Sequence, residues 1–529
     1  MSATRRQFIR GTSAAGVSLG LGEWAALLPI SPANAEEAKV TPGLVRFGPD
    51  IEPIVRLIED TPRARCSAMM IAQLRKGLPY RQFLAALYLA NIRANEVTHQ
   101  MAVLHSTNQL TLDLPVQERL LPTFWAMDSF KFHQERAKAA PSLKPLTGSL
   151  PSAERAEDEF HAGMNNFDSE RAERALVAVI RSQGANRVAE LLWRYAARDW
   201  TFIGHFAIWV ANTWRTLETV GWQYAEPSLR VVVVTLVGEV ARKVGQDKTL
   251  KGQPYWTNRE RVQKAVATIP ANWAEAGSEP AFTRELLAAI REEKMEVACD
   301  LAVSRLVAGK VRAGAVWDAV HLAGGEMFMC AQKNSAPLHA NTAANALHYV
   351  FEASSDAGNR LLILLQAVGW MCLYRSAMTR RGWFREPRQI LDLEEGSIAD
   401  TPEAAVEEIL AHLSFGSGDN LAVDPFKGTY GAEFNSQPWR HEAAGKAFAF
   451  ARKFPGPQLL VRAAHRLLPL KVDWDPHRIK FPIAAWENWR WVSPEWQPHM
   501  LAAASYSFVG VDAPDTALTK QVREAVRNL

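Results

Sequence analysis

Arg230-Val231-Val232-Val233-Val234-Thr235-Leu236 is the stretch on which the fold class turns. Four successive valines invite a strand, because β-branched side chains suit a pleated surface. The flanks argue otherwise. Glu226-Pro227 stands just before it and has the form of a helix start, where proline's missing N–H costs nothing. After it, Leu236 to Val240 continue a helical run, further than a short buried strand extends. The stretch therefore reads as a buried helix.

The surrounding chain agrees. Leu84, Leu87, Tyr88 and Asn91 to Ile92 keep a 3.6-residue period, as do Val188, Leu191, Leu192 and Tyr195, and again Val316, Ala319, Val320 and Ala323. Alternating patterns bounded by turns are scarce. Long loops are expected around 142–152, 252–258, 380–400 and 416–438, where Pro, Gly, Ser and Asp gather. The expectation is an all-α protein.

A faint repeat overlies this pattern. Gly77, Gly184 and Gly309 each stand seven positions before an apolar helix step, at Leu84, Leu191 and Val316. His105, His205 and His339 follow, then Asn108, Asn212 and Asn345, then arginines beside apolar residues at Arg119, Arg230 and Arg360. His441 and Arg462 mark a degenerate fourth unit. Irregular helical-hairpin repeats of this kind stack into an arc or ring, like an α-solenoid or toroid, and lend polar residues to a shared interior. The units run at about 50–140, 150–250, 258–380 and 400–529, within one large helical domain over 36–529.

Composition bounds the function. Of 529 residues, 48% are hydrophobic and 22% charged, as in an ordinary globular chain. The formal charge is only +4 and no basic run stands out, so no nucleic-acid partner is expected. Thr4-Arg5-Arg6-Gln7-Phe8-Ile9-Arg10 has the form of a twin-arginine signal, followed by a soft apolar stretch and Ala33-Asn34-Ala35, a cleavage site. Residues 1–35 thus read as a signal peptide. The twin-arginine translocase is the expected export partner, and the periplasm or the exterior the destination. No later segment reads as a membrane span, the nearest being Leu361 to Tyr374, interrupted by Gln366. Cys66, Cys299, Cys330 and Cys372 form neither CxxC nor CxxCH, so a covalent c-type haem is not indicated, while an oxidising compartment permits up to two disulfides.

Two phrases carry candidate chemistry. In the first, Arg198 to Arg230, helical spacing puts His205 and Asn212 on one face with Trp209 between them. Arg198 and Arg215 are candidates to hold an anionic or carbonyl group; the competing reading has Asp199 and Glu226 neutralising Arg198, Arg215 and Arg230 between packed helices. In the second, Asp318 and His321 are i,i+3 neighbours, so the carboxylate can orient the imidazole. Gly324-Gly325 would admit another backbone or a ligand. His339, Asn341, Asn345 and His348 follow. His205, His321 and His339 would make a three-histidine metal set if their helices converge, and Asn345 would join Asn212 in substrate binding. Glu96-Val97-Thr98-His99 has the ExxH spacing of di-iron bundles but no second such element, and is set aside. Trp486, Trp489, Trp491 and Trp496 read as core packing rather than an exposed platform. Zincin, serine-hydrolase, P-loop and Rossmann signatures are absent.

Leu338-His339-Ala340-Asn341-Thr342, with Asn345-Ala346-Leu347, resembles the histidine-Ala-Val-Thr segment of questin oxidase-like proteins, and Gly204-His205 before an apolar helix is similar to a glycine-histidine segment there. The phrases also resemble those of uncharacterised exported bacterial proteins with twin-arginine leaders. Asn341 stands where the family has an apolar residue, and the family's Asn-His motif near the start of the fold is missing. The resemblance implies a largely helical oxidoreductase, from a family that includes enzymes implicated in oxidative ring opening of anthraquinone-type polyketides, with His205 and His339 carried over by position. The expected function is an exported oxidoreductase-like enzyme with a central histidine pocket. It would act on a small, aromatic molecule with a transition metal or haem as the possible cofactor. The alternative is a non-catalytic helical repeat protein that binds a ligand or a protein partner.

Overall fold

The computed structural model describes residues 43–94, 99–115, 118–136, 143–200, 202–238, 253–330, 336–384, 388–416, 438–472 and 475–527. The expected leader (1–35), Glu96 and the expected loop at 416–438 between Gly416 and Pro438 lie outside them. Among the described residues the chain is all-α, with no β-strand. The valine stretch falls inside the helix Ala225–Val237, with Val231, Val232 and Val233 buried. Burying a valine contributes about 1.5 kcal/mol or more. That exceeds the roughly 0.5 kcal/mol by which a valine disfavours a helix. Packing therefore overrides local propensity.

Of the expected loops, 143–152 and much of 380–400 are irregular, but a helix already begins at Tyr255. The helix Ala336–Ala353 is the hub. It packs against His205–Val220, Ala313–Met329, Ala357–Arg380 and His477–Trp491, so segments far apart in sequence meet around it. The last described helix, Ala517–Arg527, packs against Arg63–Arg75 and Leu121–Arg136 near the start. Contacts therefore reach well beyond neighbouring units, unlike a linear array in which each repeat touches only the next. The histidines that mark the faint repeat do not sit in equivalent places either. His205 and His339 meet, whereas His105 bonds Glu487 and His441 bonds Tyr506.

Ala357–Arg380 is long and apolar enough to cross a membrane by length and composition, yet 83% of its most apolar window is buried within the protein. Its Gln366 is satisfied there, donating to the Ala197 carbonyl and accepting from Asn258. All four cysteines are free and buried, so neither permitted disulfide forms. Trp486, Trp489 and Trp496 are buried and the first two rings stack at 4.6 Å, which is core packing.

Candidate metal centre

Four histidines from four distant parts of the chain converge. One ligand atom from each of His99, His205, His339 and His477 lies within 4.8 Å of every other. The helices explain how. His205 and His477 are the first residues of their helices, His99 begins the short helix His99–Ala102, and His339 is in the first turn of Ala336–Ala353. A helical Cα–Cβ bond tilts toward the N-terminus, so first-turn side chains lean past the helix end. Four helix starts pointed at one spot thus deliver four imidazoles into the gap between them.

The approach to His205 is strained. Ile203 has φ 45° and Gly204 φ 73°, and the Tyr374 hydroxyl donates to the Ile203 carbonyl at 2.9 Å to hold the turn. A β-branched residue at positive φ is a real outlier, and such strain persists only where surrounding structure enforces it. A Cβ at Gly204 would overlap the Tyr374 hydroxyl and stand 2.8 Å from the Ala343 Cβ. Gly204→Ala is expected to cost about 2–4 kcal/mol, from the left-handed conformation plus overpacking. Thermal unfolding checks this; an unchanged melting temperature would show that the turn relaxes freely.

Proton placement follows from the partners. The Nδ1 of His205 lies 2.7 Å from the Phe202 carbonyl, which can only accept, so Nδ1 carries the proton and Nε2 presents a lone pair. His477 donates from Nδ1 to Asp475 Oδ1 at 2.9 Å, and that carboxylate oxygen also accepts from the His477 backbone N–H. This leaves Nε2 of His477 as a bare lone pair, and it is buried with no hydrogen-bond partner. The Nε2 atoms of His99 and His339 stand 3.2 and 3.0 Å from Nε2 of His205. One lone pair cannot satisfy two rings at once. Four nitrogens around an ion at about 2.0–2.1 Å would be spaced about 3.3 Å apart in a tetrahedron. The two separations from His205 are near that value, and all four donors lie within 4.8 Å of one another.

The electrostatics keep His99, His205 and His477 neutral. Burial, and then Lys480, push His205 down to about 3. His99 is held well below the ordinary histidine value by burial and by the neighbouring His477 and Lys480, and His477 is lowered by burial. Neutral imidazole is the form a metal requires. Lys480 is itself buried beside the cluster, its Nζ 3.4 Å from His99 Nδ1, and burial pushes it down to about 7.

The expected three-histidine set is thus corrected. His205 and His339 meet, but His321 does not join them. Its Nε2 lies 2.8 Å from His348 Nδ1, in a stack with Trp317 and Trp491. His99 and His477 complete the cluster instead. In the sequence His99 stands out only through its ExxH spacing, and His477 only through Asp475 two positions earlier and Lys480 three positions later. Asp318 accepts from the Ser493 N–H and hydroxyl at 2.8 and 2.6 Å, anchoring the start of the turn Pro494–Trp496.

Among the expected substrate-binding residues, Arg198 donates to the Met164 carbonyl and stacks over Phe167 and Tyr195, a packing role. Arg215, Asn212 and Asn345 do meet, in a buried network two helical turns beyond the histidines. Arg215 donates to Asn345 at 2.9 Å and pairs with Glu487 at 3.2 Å, while Asn212 Nδ2 holds the Ala102 carbonyl. Glu487 also accepts from Asn345 at 2.9 Å and bonds His105 at 3.0 Å. The ion-pair alternative is right in kind but wrong in partners: Glu226 pairs with Arg181 and Arg230 with Glu173. Gly324 admits Asn341, which donates to the Gly324 carbonyl at 2.7 Å, so the glycine pair serves helix packing.

Compared with known protein families, with curated proteins and with solved structures, the chain shows no match.

Proposed function

We propose that the chain is a metal-dependent enzyme of the oxidoreductase type, exported after folding, whose ion is held by His99, His205, His339 and His477. The observation that carries this reading is the partnerless buried Nε2 of His477 beside three clustered Nε2 atoms. A buried polar atom without a partner costs about 1–3 kcal/mol. A helical scaffold that only binds a partner along its surface gains nothing from that cost, whereas an ion site needs the bare lone pair. All-imidazole donors suit zinc, copper, iron or nickel rather than magnesium or calcium. Such an ion supplies charge stabilisation and, for iron or copper, electron transfer. The chain's own residues orient the ligands: Asp475 fixes the His477 ring and the Phe202 carbonyl fixes the His205 ring. The resemblance to questin oxidase-like proteins favours iron or copper and a small aromatic substrate.

Elemental analysis of protein purified without chelator tests the reading, together with a visible and electron paramagnetic spectrum. About one transition-metal ion per chain is expected, from the single four-nitrogen set. A metal-free protein that also refuses zinc, cobalt, copper and iron on supplementation would overturn it. Asp475→Asn removes the anionic orienting partner and is expected to weaken metal affinity by about 10–100-fold without changing helicity. Competition with a chelating dye measures this, and equal affinities would mean Asp475 does not act through His477.

Export after folding has its own test. Replacing Arg5 and Arg6 by lysine is expected to leave the metal-loaded protein in the cytoplasm. Equal amounts of both forms outside the cytoplasmic membrane would sink the assignment.

A further inference from the structure

A group of arginines outside the histidine centre stands without ion pairs. Arg194 is in the last turn of the helix Ala185–Ala196, Arg198 follows that helix, and Arg259 lies one turn into Tyr255–Ala265. The phenol oxygens of Tyr195 and Tyr255 each feel all three guanidiniums, so the three charges gather at one place. The Arg198 guanidinium carbon lies 5.2 Å from the centre of the Tyr195 ring, and that of Arg259 lies 5.9 Å from the centre of the Tyr255 ring. Among the described residues no carboxylate pairs with any of the three. Asp199 acts on Arg198 but accepts from Gln253 at 3.1 Å, and Glu190, one turn before Arg194, accepts from Ser354 and Asn359. Arg198 is 6% exposed, and a buried charge left without a counter-charge is costly.

Unused donors at the same place point to a ligand. The packing of Arg198 uses a single N–H of its guanidinium fork, on the Met164 carbonyl, and Arg194 uses one on Asn359 at 3.4 Å. The Tyr255 side chain is only 3% exposed, yet its hydroxyl bonds no described group. Arg259 is exposed, so the group opens to solvent at that edge. Guanidinium forks match the oxygens of phosphate and sulfate, to which a phenol O–H also donates.

We propose that Arg194, Arg198, Arg259 and Tyr255 form a binding site for a tetrahedral oxyanion, a phosphate or sulfate group, separate from the histidine centre. Three guanidiniums against Asp199 leave a surplus that a dianion answers better than chloride does. Trp256, 47% exposed and 5.3 Å from Arg259, offers an aromatic surface for the organic part of an ester.

The test titrates the full chain calorimetrically with inorganic phosphate, sulfate and phenyl phosphate at constant ionic strength, with chloride as the control. It is run both as purified and after chelation, because an ion among the histidines would itself take phosphate. Phosphate or sulfate is expected to bind in both preparations, and chloride to give no response. Arg259→Gln, at an exposed position where folding is not at stake, should weaken the oxyanion by about tenfold or more, and Tyr255→Phe by about three- to tenfold. Arg198→Gln should abolish binding. Tighter phenyl phosphate would identify an ester seated against Trp256, and equal affinities the free ion. A response confined to the unchelated protein would place the anion at the histidines and overturn the site. So would the absence of any heat from phosphate and sulfate, or equal affinities in wild type, Arg259→Gln and Tyr255→Phe.

Discussion

His205→Ala and His339→Ala are each expected to lower metal affinity by at least about a hundredfold, more than the 10–100-fold typical of losing an orienting partner. Each removes one of the clustered Nε2 donors, and the remaining three nitrogens cannot regain the spacing of the full set. Folding should survive. His205 is the first residue of its helix and His339 lies in a first turn, where alanine keeps the backbone geometry. His321→Gln is the informative comparison, because His321 is a histidine of the same neighbourhood in sequence that pairs with His348 instead. It should keep its metal. Loss of metal in His321→Gln with retention in His205→Ala would restore the three-histidine set suggested by the sequence and reject the four-ring centre.

The second large effect concerns stability. Glu487 is expected to be indispensable to the fold: Glu487→Gln should destabilise by about 3–5 kcal/mol, the usual cost of breaking a buried ion pair. The substitution leaves the Arg215 guanidinium, 5% exposed, without its carboxylate, and puts a single amide oxygen where two oxygens served His105 and Asn345. The same residue sets an acid limit. Although burial alone would raise it, Arg215, His105 and Asn345 together bring Glu487 down to about 2 in the folded chain, against about 4.3 for a free glutamate. A depressed folded value contributes stability that is complete above about pH 4.3 and is lost as pH falls toward 2. The window follows from Glu487 itself, and His105 works in the same direction, since burial and Arg215 lower it and so resist its protonation in the fold. Wild-type chain should therefore lose about 3 kcal/mol on acidification through that window, a loss missing from Glu487→Gln. Urea midpoints measured from pH 6 down to about pH 2 check this. Parallel pH profiles for the two proteins would remove Glu487 from the account.

The helical class was legible because it is written locally. A 3.6-residue apolar period survives in the sequence whatever packs against it, and the flanks of Val231–Val234 outvoted the valines themselves. The buried fate of the tryptophans was legible for the same reason, since residues that large rarely find enough surface to cover elsewhere. Half of the histidine cluster was legible too. His205 and His339 stood out against glycine, asparagine and apolar neighbours.

The rest was decided by which helices meet. His99 and His477 are 378 positions apart, and nothing in their spacing announces a shared centre. His321 has a better local setting than either, with Asp318 one turn away, but its helix face turns to His348 and Trp317. Arg215 and Asn345 have the sequence setting of ligand-binding residues, but the tertiary structure pairs both with Glu487. By itself the sequence determined the helices, the burial of their apolar faces and two of the four histidines, because these depend on a residue and its near neighbours. Convergence of the four rings depends on the directions of helix starts brought together by long-range packing, and only the folded chain fixes those directions.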